Sequence, residues 1–124
     1  MTTIAPEAPT RSSELALAAD ALATLARVPG LTPPCLWEIA ARTGMPVEIR
    51  AQISPTSLPE LIERMRLYAD VLDGVMWDVE NYHPHQRGGQ LNIAGTYGGV
   101  HVNVWAGLKC CDLDEAVRLV AAAT

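Results

Sequence analysis

Residues 90–107 constrain the fold of this chain more than any other stretch. They read Gln-Leu-Asn-Ile-Ala-Gly-Thr-Tyr-Gly-Gly-Val-His-Val-Asn-Val-Trp-Ala-Gly. Two runs with period-two alternation flank Gly98-Gly99. A Gly-Gly pair in that setting is the signature of a β-hairpin with a primed two-residue turn, whose central residues both take positive φ. With Gly98 and Gly99 in the turn, Tyr97 lies opposite Val100, Gly95 opposite Val102 and Ile93 opposite Val104. Those residues share one face, and Asn92, Ala94, Thr96, His101, Asn103 and Trp105 fall on the other. A slip of one residue would exchange the faces. The segment therefore predicts a half-buried antiparallel pair.

The rest of the chain supplies partners for that hairpin. Residues 1–11 carry Pro6 and Pro9 and no aromatic residue, and read as a disordered tail. From Ser12, Leu15, Ala18, Ala19, Leu22, Leu25 and Ala26 recur at helical spacing until Pro29-Gly30. Residues 36–42 and 47–54 alternate as strands around Thr43-Gly44-Met45-Pro46, which predicts a second hairpin. Ser57-Leu58-Pro59-Glu60 reads as a capping box, with proline tolerated in the first turn. The helix it opens should run to about Asp73, with Gly74 as its stop and Leu58, Leu61, Ile62, Met65, Ala69 and Leu72 as its buried stripe. Val75, Trp77 and Val79 alternate with Met76, Asp78 and Glu80 as a further strand, and a second capping box, Asp112 to Glu115, opens a short C-terminal helix. The expected fold is α+β over residues 12–124. It has a single antiparallel sheet of about five strands, helices packed on one face, and the order αββαβββα.

Composition limits the function classes. At 124 residues, 49% hydrophobic and 19% charged, the chain is of a size and composition to bury one core. Its formal net charge of -5 disfavours binding driven by phosphate neutralisation. Lys109 is the only lysine, a codon-bias signature of a GC-rich genome. Cys35, Cys110 and Cys111 suit a reducing compartment better than a disulfide framework. With no signal peptide and no membrane-length apolar run, the expected location is cytoplasmic, away from membranes.

Three groups of residues invite a chemical reading. His83 and His85 flank Pro84 and could ligate a metal with His101 or with a carboxylate such as Asp78 or Glu80. Against that, His-Pro-His beside Arg87-Gly88-Gly89 has the composition of a polar loop tip. Cys110-Cys111 precedes a helix, where a thiol gains nucleophilic character, but a catalytic role needs a base such as His101. Gly88-Gly89 and Gly98-Gly99 lack the helix and the Lys-Ser/Thr spacing of a phosphate loop. No catalytic, cofactor-binding or metal-ligating residue is assigned on these grounds.

Residues 38–50, from Glu38-Ile39-Ala40-Ala41-Arg42-Thr43-Gly44 to Ile49-Arg50, resemble the helix-turn-helix core of bacterial regulators, with Ala40 and Gly44 at the spacing of the inter-helix turn. The pattern departs at Arg50, where that family has a buried aliphatic residue. The resemblance implies a DNA-binding regulator with the Gly98-Gly99 hairpin as a wing. On a wider scale, Arg27-Val-Pro-Gly-Leu-Thr-Pro-Pro and the strands near residues 47–53 and 100–107 resemble small uncharacterised actinobacterial proteins of phage and plasmid type. That resemblance implies a mobile-element accessory protein and no activity.

The favoured expectation is a non-catalytic protein-interaction module without cofactor, binding another protein or itself as a homodimer, with nucleic acid an unfavoured partner. The candidate partner surface is Met76, His101, Asn103 and Trp105, because Met76 and Trp105 are large apolar groups on an otherwise polar sheet face. The competing expectation for that face is cover by the C-terminal helix or the N-terminal tail. A helix-turn-helix regulator and a small metal-dependent enzyme using His83, His85 and His101 are the alternatives.

Overall fold

The computed structural model describes residues 10–123. Helix α1 (Arg11–Ala26) leads into strands β1 (Leu36–Ala40) and β2 (Glu48–Gln52). Helix α2 (Leu58–Val71) precedes β3 (Asp73–Asn81), β4 (Gly89–Tyr97) and β5 (Val100–Leu108). A 3-10 turn (Cys110–Asp112) then runs into helix α3 (Leu113–Ala123). The five strands form one sheet in the order β1-β2-β5-β4-β3.

The hairpin has the expected register, with Tyr97 opposite Val100, Gly95 opposite Val102 and Ile93 opposite Val104. Gly98 and Gly99 both take positive φ, +57° and +78°, as a primed turn requires. β1 and β2 also form an antiparallel hairpin. The sheet as a whole is mixed rather than antiparallel, because β2 pairs with β5 in parallel. Connectivity explains this. A strand-helix-strand crossover sets β3 in the direction of β2, and the β3-β4-β5 meander returns to that direction two strands later.

Period two sorts the side chains. Ile49, Ala51, Leu91, Ile93, Val102, Val104 and Ala106 are buried on the inner face, packed with Leu25 of α1, Leu61, Met65 and Tyr68 of α2, and Ala116 of α3. Tyr68 is fully buried, meets Trp37 edge-to-face at 6.3 Å and donates its hydroxyl to the Thr32 carbonyl at 2.6 Å. Burial pushes its pKa up to about 12. Gly89 marks the tightest approach: a Cβ there would lie 2.1 Å from the Glu80 carbonyl oxygen and 2.7 Å from Leu113 Cδ2.

Several local expectations need correction. Thr10 caps α1 by accepting from the Ser13 N–H, and Arg11 is already helical, so the segment expected as a tail is shorter at its C-terminal end; residues 1–9 lie outside the described residues. The buried positions of α1 are Ala18, Ala21 and Leu25, whereas Leu15 is 37% exposed and Ala19 and Ala26 face out. Helix α2 stops at Val71 because Leu72 turns extended to start β3, and Gly74 sits inside that strand where its pairing with β4 is irregular. Ser57 is the N-cap residue of α2 but makes no side-chain cap hydrogen bond. Glu60, its expected reciprocal partner, instead accepts from Thr56 and Arg64, each at 2.7 Å, and these bonds lower its pKa.

Candidate interaction surface

The other face of the sheet carries rows of side chains set by strand pairing. One row runs Glu38, Arg50, Asn103, Ala94, Met76 from β1 to β3. The next runs Leu36, Gln52, Trp105, Asn92, Asp78. On the opposite side of the first lie Ala40, Glu48, His101, Thr96 and Asp73. All three helices contribute to the core on the inner side, so α3 packs against that face through Ala116 rather than covering this one.

The four residues expected as a partner surface lie within this lattice. Asn103 and Trp105 are successive outward residues of β5, Met76 shares the row of Asn103, and His101 is one row further along. Met76 is 74% exposed and His101 is exposed. Trp105 is half-buried, with the Arg50 guanidinium 6.0 Å from its ring centre. Arg50 also approaches Glu38 at 3.9 Å and Glu48 at 3.7 Å, so a cation, an aromatic ring and two carboxylates hold one another on the β1-β2 side. A cation over an indole face is attracted by the ring quadrupole.

Toward β3 the lattice changes character. Tyr82 donates to Gln90 Oε1, and Gln90 Nε2 donates to Asn92 Oδ1 at 2.6 Å. Burial, and secondarily the charge of Glu80, raises the pKa of Tyr82. Asn92 is 9% exposed, and its Oδ1 is engaged in this chain of amides. Asn103 differs: its Oδ1 is buried and has no hydrogen-bond partner among the described residues. Asp73, Asp78 and Glu80 are exposed and form no ion pair among the described residues. Between this rim and the β1-β2 loop, above Ala94 and Asn103, lies a concavity of about 750 Å³.

The sequence pattern located this face but missed its connections. The stacking of Arg50 on Trp105 depends on β2 lying beside β5, which no local pattern encodes. Alternation could have placed Gln90 with Asn92, whereas Tyr82 lies in a loop and carries no periodicity.

Other expected constellations are not assembled. Residues 38–50 run through a β-hairpin, so the helix-turn-helix resemblance finds no pair of helices there. His83 and His85 lie in the β3-β4 loop, beside the Gly89 end of β4, while His101 pairs with Thr96 near the other end. At ordinary strand rise those ends are about 23 Å apart. Cys110 follows the far end of β5 from His101, which separates it from the base expected for it; its Sγ accepts from Arg87 Nη2 at 3.6 Å. Among the described residues no three His, Cys, Asp or Glu side chains are grouped to hold a metal, and no helix is long and apolar enough to cross a membrane.

Comparison of the chain with protein-family models, with curated proteins and with solved structures gives no match.

Proposed function

We propose that this chain is a non-catalytic interaction module that binds a second protein through the outer face of its sheet. The observation that carries the reading is a five-stranded face that no helix among the described residues covers, with a polar group left unsatisfied in it, the buried Asn103 Oδ1. A buried acceptor without a donor costs about 1–3 kcal/mol. Such a group gains a donor if the side chain turns outward toward a partner docked on the face. Trp105 and Met76 supply the aromatic and thioether surface that interface centres favour.

Site-specific cross-linking tests this. A photoreactive residue replaces Ala94, which is exposed at the centre of the face, and the host cells are irradiated. The expected result is one dominant protein adduct, lost in the Trp105→Ser/Met76→Ser variant while its circular dichroism is unchanged. Adducts that persist in that variant, or a product composed only of two copies of this chain, would reject binding of a second protein through this face.

A further inference from the structure

The two edges of the sheet are unequal. β1 spans five residues, whereas β3 spans nine and, among the described residues, pairs with no strand on its outer side. The hairpin register identifies its free backbone groups. Tyr97 and Val100 close a two-residue turn and so form a hydrogen-bonded pair, as do Gly95 with Val102 and Ile93 with Val104. The intervening residues Ala94, Asn92 and Gln90 therefore direct their N–H and C=O groups to β3, where they meet Met76, Asp78 and Glu80. By alternation, the N–H and C=O of Trp77 and Val79 point outward from the sheet. The same alternation aims the Trp105 carbonyl away from β4, where it accepts from the Ile53 N–H at 2.8 Å. No turn or loop hydrogen bond among the described residues reaches Trp77 or Val79.

Charge then selects what such an edge accepts. Asp78 and Glu80 stand exposed on the outer face without ion-pair partners among the described residues. Arg50, the one Arg or Lys within the five strands, is occupied by Glu38 and Glu48 on the far side of the sheet. A second copy fits badly. Antiparallel pairing of two β3 strands about Val79 sets Asp78 of one copy against Glu80 of the other, and pairing about Asp78 sets that residue against itself; pairing about Trp77 avoids this but sets Asp78 against Met76 and Glu80 against Gly74, so neither carboxylate gains a cation. Like charges directly opposite are destabilising, and opposite charges stabilise.

We infer that β3 accepts an extended basic segment of a partner protein as a sixth strand, with Lys or Arg at alternate positions facing Asp78 and Glu80. Main-chain hydrogen bonds from Trp77 and Val79 supply affinity, and the two carboxylates supply selection. The inference rests on the protein-binding reading above and adds the chemistry of the partner.

The test uses the whole protein and a fluorescent nine-residue peptide with Lys at every second position and Val or Thr between, followed by anisotropy. The expected result is saturable binding that weakens about tenfold for Asp78→Lys/Glu80→Lys, from two pairs turned repulsive. Both positions are exposed, and circular dichroism checks that the variant is folded. Two further peptides carry N-methyl groups on alternate sets of amides, and one set should abolish binding while the other leaves it intact. Equal binding by both methylated peptides, by the charge-reversed protein or by a Glu-substituted peptide overturns the inference, as does no binding of the parent peptide. If the peptide fails while the Ala94 cross-link still captures a partner, protein binding stands and strand addition falls; loss of both ends both.

Discussion

The two faces of this sheet are built from the same strands and solve opposite problems. Ile93 and Val104 are neighbours on the inner face, with no measurable exposure. One residue along, Ala94 and Asn103 are neighbours on the outer face, one exposed and one ending in an unpaired buried oxygen. The inner face is specified redundantly by aliphatic packing. The outer face is specified by a few polar links, the Arg50-Trp105 stack and the Tyr82-Gln90-Asn92 chain, with groups left over. Under the proposed reading, stability and binding would be separated across the thickness of one sheet.

The sharpest way to break this contrast is to substitute both faces at adjacent positions. Ile93→Ala should lower unfolding free energy by about 3 kcal/mol, the loss of a buried branched side chain plus the cavity it leaves. Ala94→Ser should change it by less than about 0.5 kcal/mol, as at an ordinary surface site. Urea denaturation of the pair measures both, and similar costs would show that the outer face is as structural as the inner one.

Gly89→Ala probes the closeness of the inner packing. The new methyl would meet the Glu80 carbonyl oxygen and the Leu113 side chain, and backbone cannot yield as a side chain tip can. A loss of about 2 kcal/mol is expected, typical of overpacking, with α3 the first element to loosen. Hydrogen exchange along residues 113–122 reads this directly.

Tyr68 tests a polar link buried under the inner face. Tyr68→Phe leaves the Thr32 carbonyl without its donor and should cost about 1 kcal/mol at neutral pH. The sign of the pH dependence follows from its raised pKa. The folded state holds the neutral phenol, so this contribution is whole below pH 10 and is lost as pH rises toward about 12. The parent protein should therefore lose more stability than Tyr68→Phe across that alkaline range, as chemical denaturation at successive pH values would show.

Legibility divided along the same line as the faces. The Gly98-Gly99 hairpin could be read to the residue because turn chemistry and alternation agree in it. Alternation likewise assigned Met76, His101, Asn103 and Trp105 to one face. The parallel pairing of β2 with β5 was hidden, because it arises from a crossover through α2 and not from any contiguous pattern. Gly74 looked like a helix stop, yet Leu72 had already left the helix, so a local glycine signal was overtaken by the demands of β3. The capping box at Ser57 failed for a similar reason: Glu60 found Thr56 and Arg64 as nearer partners.

The smallest expected effect is also the one that separates the two faces by sign. Asn103→Val removes a buried oxygen that has no donor and replaces it with a β-branched group suited to a central strand. Deleting an unsatisfied acceptor relieves its desolvation cost, so stability should stay level or rise by up to about 1 kcal/mol. Every comparable change on the inner face should lower it. Cross-linking through position 94 should fall in the same variant, because the donor supplied by the partner would lose its acceptor. A variant that is more stable and binds less would identify Asn103 as a group kept for the complex at the expense of the free fold. A fall in stability of more than about 1 kcal/mol would instead make the side chain a structural member of the outer lattice, and the division of labour between the faces would fail at its centre.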